Sequence, residues 1–420
     1  MDQLTLFFSD KPNKNHSNYK IKTETLARSL FTKGLVFIAL VILPGVSIAQ
    51  GKVVHVKDPG DGNDIRSNLE TAWDNASDGD TIQLPAGTFK IDGTATLYCS
   101  RTNNAHLRGA GSGEKGTKLI RDYETDDRLI AIEGEWDGNS QVEISGIWFQ
   151  GIETRIYEGD SGTTYADARA LITHRTAVYI HDCKFQYFPG YALTIIPLSY
   201  TNDNDYVVSK NDFVDNYCKT SWGARGNSIS IGGPDSNDSW DTVEPGSNDF
   251  IFIEDNYFSV TRNPINAAEL GRYVFRYNYI ERHTHGEVCN MHGARPEWQN
   301  SYTYATRYIE VYKNTAIKAR QDDPIYDWDT GLIVNYGGGG VMWGNVVDGY
   351  SVGMTSKIGN AWWDETHPDR PSDWETPDYP ISYQVGWESA NNYGWGHSET
   401  DPSTYGAGDF FIWNNTYKNM

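Results

Sequence analysis

The 420-residue sequence holds only four cysteines, Cys99, Cys183, Cys218 and Cys289. No two are spaced as Cys-x-x-Cys, which argues against a thiolate zinc site or a dithiol redox motif. Four are too few for a fold built on disulfides, and buried free thiols are the expectation. Positive charge is also scarce. Lys and Arg total 35 against 56 Asp and Glu, a net charge of −21. Nucleic-acid binding needs a basic footprint, so no nucleic-acid partner is expected. Long apolar runs are missing apart from Gly34–Leu43, which is short for a bilayer crossing.

Lys20, Lys22, Arg28 and Lys33 precede that run, and the small residues Ser47 and Ala49 follow it. The pattern reads as a secretory signal cleaved after Ala49 behind a long polar leader, rather than as a membrane anchor. The expected division is 1–49 as leader and signal, and 50–420 as the working domain. The mature protein is then secreted to the exterior, periplasm or cell surface and free of the membrane. Removing 1–49 takes away six basic and three acidic residues, leaving 29 against 53, a net of −24. Self-repulsion of this size favours a soluble monomer.

What the sequence does have is glycine (41), tyrosine (27) and tryptophan (14), with few runs of strong helix formers. It also has a repeat of alternating apolar residues, a polar step, then Asn-x-apolar. The Asn falls at 211, 256, 278, 314, 345 and 415; two earlier copies, Val142–Phe149 and Val178–Phe185, lack it. A constant pattern at variable spacing describes a β-solenoid with insertions in its loops. The 70-residue interval before Asn415 leaves room for an extra turn. Asn tolerates the left-handed backbone of a tight bend, and its amide can donate and accept along a stack. Upstream runs, among them Ser228–Gly232, Pro264–Glu269, Val288–His292 and Leu332–Tyr336, form a second strand series. Asp64–Trp73 carries apolar residues at helical spacing, fit to close the open end of a solenoid.

That helix followed by Gly79-Asp-Thr-Ile-Gln-Leu-Pro-Ala-Gly-Thr-Phe89 resembles the opening of right-handed parallel β-helix proteins of the pectate-lyase-like superfamily. The resemblance spans about residues 52–420. It implies an all-β, single-stranded right-handed parallel β-helix with an N-terminal capping helix and long loop insertions, of polysaccharide lyase or glycoside hydrolase type. Specific family motifs are incomplete. Arg262-Asn-Pro264 lacks the second Arg of the pectate lyases. Met291-His292-Gly293 precedes Asp322-Asp323, the reverse of the polygalacturonase order. The chain stops at Met420 right after a ladder strand with nothing like a C-terminal cap, so truncation is the expectation.

The densest ionisable stretch runs from Arg272 to Arg320. In an acidic protein such a basic patch suits a uronate carboxylate. β-Elimination from a polyuronate needs a base for the C5 proton and a group that neutralises the carboxylate. The expected assignments are His292 or Arg295 as base, Arg307 or Asn290 as neutralising group and Tyr336 as acid. His283, His285, Lys318 and Arg320 would bind substrate, with Trp387 stacking on sugar from a late Trp-rich insertion. A Ca²⁺ bridge to an acidic polymer is compatible with this picture, although no EF-hand-type spacing is present. The leading expectation is a secreted lyase acting on an acidic polysaccharide. A glycoside hydrolase using two of Asp322, Asp323, Asp327 and Asp329 is the alternative. A non-catalytic carbohydrate-binding surface protein is the third.

Overall fold

The computed structural model describes residues 51–91, 97–100, 105–121, 128–133, 141–153, 169–174, 177–197, 206–220, 223–233, 246–268, 271–284, 286–291, 306–323, 330–335, 339–356 and 410–419. Among these the strands form three long parallel sheets. Sheet A has eleven strands, from Val53–His55 to Phe410–Trp413; sheet B has ten, from Gly87–Lys90 to Thr416–Lys418; sheet C has nine, from Leu97–Ser100 to Val352–Ser356. One coil shows the winding: Tyr206–Ser209 in A, Asp212–Val214 in B, Asn227–Ile231 in C, then Ile251–Glu254 back in A beside the first strand. This is the parallel β-helix expected from the repeat. The one antiparallel pair among the described residues is the hairpin of Cys218–Thr220 with Gly223–Arg225.

The Asn repeat marks the bend from A to B. Asn211 and Asn256 each donate from backbone N–H and side-chain amide to the Asn Oδ1 of the next coil, and the chain of bonds runs on through Asn278, Asn314 and Asn345 to Asn415 at 2.9–3.1 Å. Each of these amides also donates to a carbonyl of the preceding coil, as Asn278 does to Ile253 and Asn415 to Met342. The left-handed residue is not the Asn but the one before it: Lys210, Asp255, Tyr277, Lys313, Gly344 and Asn414 all have φ between 54° and 64°. The Asn is there for its amide, and the preceding residue takes the strain. The 70-residue interval holds no extra turn, because Gly339–Trp343 pairs directly with Phe410–Trp413.

Inward residues repeat in register. In sheet B, Phe149, Phe185, Phe213 and Phe258 form a column with ring centroids 4.8–5.0 Å apart. Each buried ring contributes roughly 1.5–3 kcal/mol by leaving water, and each stacked pair about 0.5–1.5 kcal/mol more. In sheet C the inward row is Leu171, Leu193, Ile229, Ile265, Cys289 and Ile333, all fully buried. Cys183 and Cys289 are buried free thiols, and burial pushes the Cys183 thiol up to about 12. The expected helix is Arg66–Asp74; it sends Leu69, Ala72 and Trp73 into the same core beside the first coils.

Candidate functional site

Strand alternation places the neighbours of the inward row on the outer face of sheet C. Thr194, Ser230, Asn266 and Asn290 occupy one register position on four successive strands. Rungs of a parallel sheet lie about 4.8 Å apart, so this row is a polar track crossing the coils. It is incompletely satisfied. The Thr194 hydroxyl and the Asn290 Oδ1 are buried without a hydrogen-bond partner. A buried orphan of this kind costs about 1–3 kcal/mol, and such groups mark places where a ligand completes the network.

At the corner from sheet C to sheet A, the rungs of Asn266 and Asn290 each place an arginine. Arg272 follows Asn266 and Arg307 follows Asn290. The two corners are adjacent, since Arg307 N–H donates to the Gly271 carbonyl at 3.0 Å and Thr306 Oγ1 donates to the Ala267 carbonyl at 2.6 Å. Arg272 is 1% exposed and Arg307 7%. Among the described residues the Arg307 guanidinium makes no ion pair with a carboxylate, and its Nε has no acceptor. Burial, with repulsion from Arg272, lowers its pKa from 12.5 to about 10. Burying the Arg307 cation beside another cation is destabilising unless it is compensated. Two amides and two guanidiniums on adjacent rungs thus offer charge-assisted hydrogen bonds to a carboxylate.

The other expected residues scatter over the solenoid. His283 is fully buried; its Nε2–H donates to the Arg262 carbonyl at 2.6 Å and its ring stacks on Tyr350. The cause is an irregularity in sheet B. Ile280 pairs with Ala316, but His283 pairs with Lys318, so Arg282 is the extra residue, at φ 49°. A bulge reverses the alternation beyond it, which turns the imidazole into the core and makes Lys318 its buried neighbour. Neither side chain lies on the sheet C track. Arg320 stands in solvent with Asp322 at 3.6 Å, a pair of little energetic weight. Asp323 is held by Arg282 at 3.0 Å. Glu310 sits on the outer face of sheet A, where burial raises its pKa although it accepts the Gly246 N–H at 2.6 Å. The Arg272–Arg320 stretch is therefore dense in sequence but divided among three faces.

His285, His292, Arg295, Tyr336, Trp387, Asp327 and Asp329 lie outside the described residues. His292 and Tyr336 directly follow Met291 and Asn335, which pair in register at the sheet C edge. Among the described residues no group of three His, Cys, Asp or Glu side chains is placed to hold a metal ion. Sequence reasoning passed over Arg272, Asn266, Ser230 and Thr194. The signal for Asn266 was present: Ile265-Asn266 and Cys289-Asn290 are the same inward-outward step on neighbouring strands.

No protein-family model matches this chain, and no curated protein does. Several solved structures are similar in fold. A PL6 family alginate lyase is 12% identical with a TM-score of 0.44, over 89% of this chain and 40% of that one. The catalytic unit of a thermostable GH87 α-1,3-glucanase from Streptomyces thermodiastaticus is 13% identical with a TM-score of 0.39, over 88% and 69%. A DFA-IIIase from Arthrobacter chlorophenolicus is 11% identical with a TM-score of 0.34, over 80% and 92%. This chain thus spans about two fifths of the alginate lyase's length.

Proposed function

We propose that the protein is a secreted, monomeric enzyme that degrades an acidic polysaccharide, and that it does so as a lyase, by β-elimination. The observation that carries this reading is the buried Arg307, without an ion pair beside Arg272, at the end of an outer polar row in which the Thr194 hydroxyl and the Asn290 Oδ1 lack partners. A neutral glycan would use the hydroxyl and amide row but bring no negative charge to the Arg307 guanidinium. A uronate suits both: its hydroxyls can meet Thr194, Ser230 and Asn266 and donate to the orphaned Oδ1 of Asn290, and its carboxylate can accept from the Arg307 guanidinium.

Neutralising that carboxylate acidifies the C5–H. A base, assigned to His292 or Arg295, takes the C5 proton. The C5–H electron pair becomes the C4–C5 double bond, the C4–O bond breaks, and Tyr336 returns a proton to the departing oxygen. A Ca²⁺ bridge would add a second neutralising charge. The hydrolase alternative has less support, because Asp322 and Asp323 are both engaged by arginines.

The test is incubation of the protein with a panel of polyuronates, with and without a chelator. Elimination creates an ultraviolet-absorbing double bond with each cut. New reducing ends without that absorbance would overturn the lyase reading, and His292→Ala and Arg295→Ala variants of full activity would remove the assigned base.

A further inference from the structure

A second row of unusual composition crosses the outer face of sheet B, turned away from the sheet C track. Lys118, Trp148, Lys184, Asp212, Tyr257 and Tyr279 share one register position on six successive strands. Lys118 and Lys184 come from the rungs on either side of Trp148. Their ammonium nitrogens lie 3.4 Å and 3.9 Å from its ring centroid. Neither lysine forms an ion pair; Glu114 and Asp212 approach them only through longer-range attraction. Burial and the charge of Lys184 both work against the protonated form of Lys118. Farther along, Tyr257 and Tyr279 stack with centroids 6.2 Å apart, Tyr279 exposed, and the Tyr257 hydroxyl donates to Glu281. The parallel outer row carries Gln150 and Gln186 in register, and Gln186 Oε1 is buried without a partner.

Two ammonium groups gathered on one indole, with Glu114 and Asp212 near but neither lysine in a direct ion pair, are out of character for a chain of net charge −21. The arrangement is complementary to a linear polymer with negative charge at regular intervals and flat faces between them. The two lysines stand two rungs apart, but their ammonium groups converge on the one ring, which brings the charges within about 7 Å of each other. The aromatic faces continue along the same line, where sugar rings can stack.

We propose that the outer face of sheet B is a second, non-catalytic binding track for an extended acidic polysaccharide, with Lys118 and Lys184, gathered on the buried Trp148 ring, receiving its anionic groups and Tyr257 and Tyr279 supporting its rings. The track would hold a long chain while another stretch of polymer occupies sheet C. It stands independently of the elimination chemistry.

The experiment is binding of the full chain to soluble polygalacturonate and alginate, with dextran as the neutral control. Three proteins are compared: wild type, Lys118→Gln/Lys184→Gln and Lys118→Arg/Lys184→Arg. The Gln pair should weaken binding to at least one acidic polymer by about tenfold, one such factor being the scale of a lost charge contact. The Arg pair should bind within about threefold of wild type, because charge is kept. Wild-type protein should ignore dextran, and turnover per bound substrate should be the same in all three. Equal binding by the Gln pair with an unchanged melting temperature would overturn the proposal. So would equal losses in the Gln and Arg pairs, which would make the lysines packing groups, or wild-type binding to neither acidic polymer. A protein that binds but turns over nothing would end the lyase reading and leave this one standing.

Discussion

From Asn211 onward the coils turn at an Asn corner from sheet A to sheet B, and successive coils are joined by a second corner from sheet C back to sheet A. The first is finished: from Asn211 to Asn415 each amide donates to a neighbour's oxygen, and the five upper ones are almost wholly buried. The second, around Arg272 and Arg307, holds like charges together and leaves Nε of Arg307 and Oδ1 of Asn290 without partners. The same winding makes both, so the difference lies in side-chain chemistry. Proteins bury unsatisfied polar groups where a ligand is to satisfy them, and compensate elsewhere in the fold. The ladder and the Phe column supply that compensation here.

Breaking the finished corner should cost most. Asn278→Ala removes the acceptor for Asn256 and the donor to Ile253 and Asn314. A loss of about 3–5 kcal/mol in denaturant unfolding is expected, from several buried groups orphaned at once. Breaking the unfinished corner should separate stability from turnover. Arg307→Met should lower the rate on polyuronate by about 10²–10³-fold, the scale of losing one preorganised charge donor. It should leave the unfolding free energy unchanged or raise it by about 1 kcal/mol, because a buried cation is exchanged for an apolar chain. If Arg307→Met unfolds the protein as Asn278→Ala does, the two corners are alike and the contrast fails.

The smallest effect sharpens the contrast on sheet A. Burial raises the pKa of Glu310. A raised carboxyl contributes stability below its unfolded pKa and loses it as pH rises through the folded value. Glu310→Gln should therefore be slightly more stable than wild type at pH 7, with the gain gone near pH 4, as read by thermal melts across that range.

The fold was legible because its signals are local. An Asn after two apolar alternations, and a helix ahead of a Gly-Asp-Thr strand, can be seen within ten residues. The site was less legible because register, not proximity in sequence, assembles it. Arg272 and Arg307 are 35 positions apart and meet only because one coil separates them. His283 is expected from the sequence among the substrate-binding residues; one surplus residue in a strand, Arg282, turns it inward, and no periodicity announces a bulge. The lysines around Trp148 were invisible for the same reason, spread over three strands between positions 118 and 184.

The ladder also bears on how such a chain could change over generations. Each coil reads from its neighbour little more than one amide and one inward apolar side chain, and the shortest such unit, from Asn256 to Asn278, is 22 residues. A gene segment of that length could be duplicated or deleted in frame without asking any other coil to adjust, and the intervals up to 70 residues show how freely sequence has been added between the fixed points. Growth in steps of one rung would lengthen both proposed binding surfaces by the same increment, so reach along a polymer becomes a quantity that recombination, rather than point mutation, can tune.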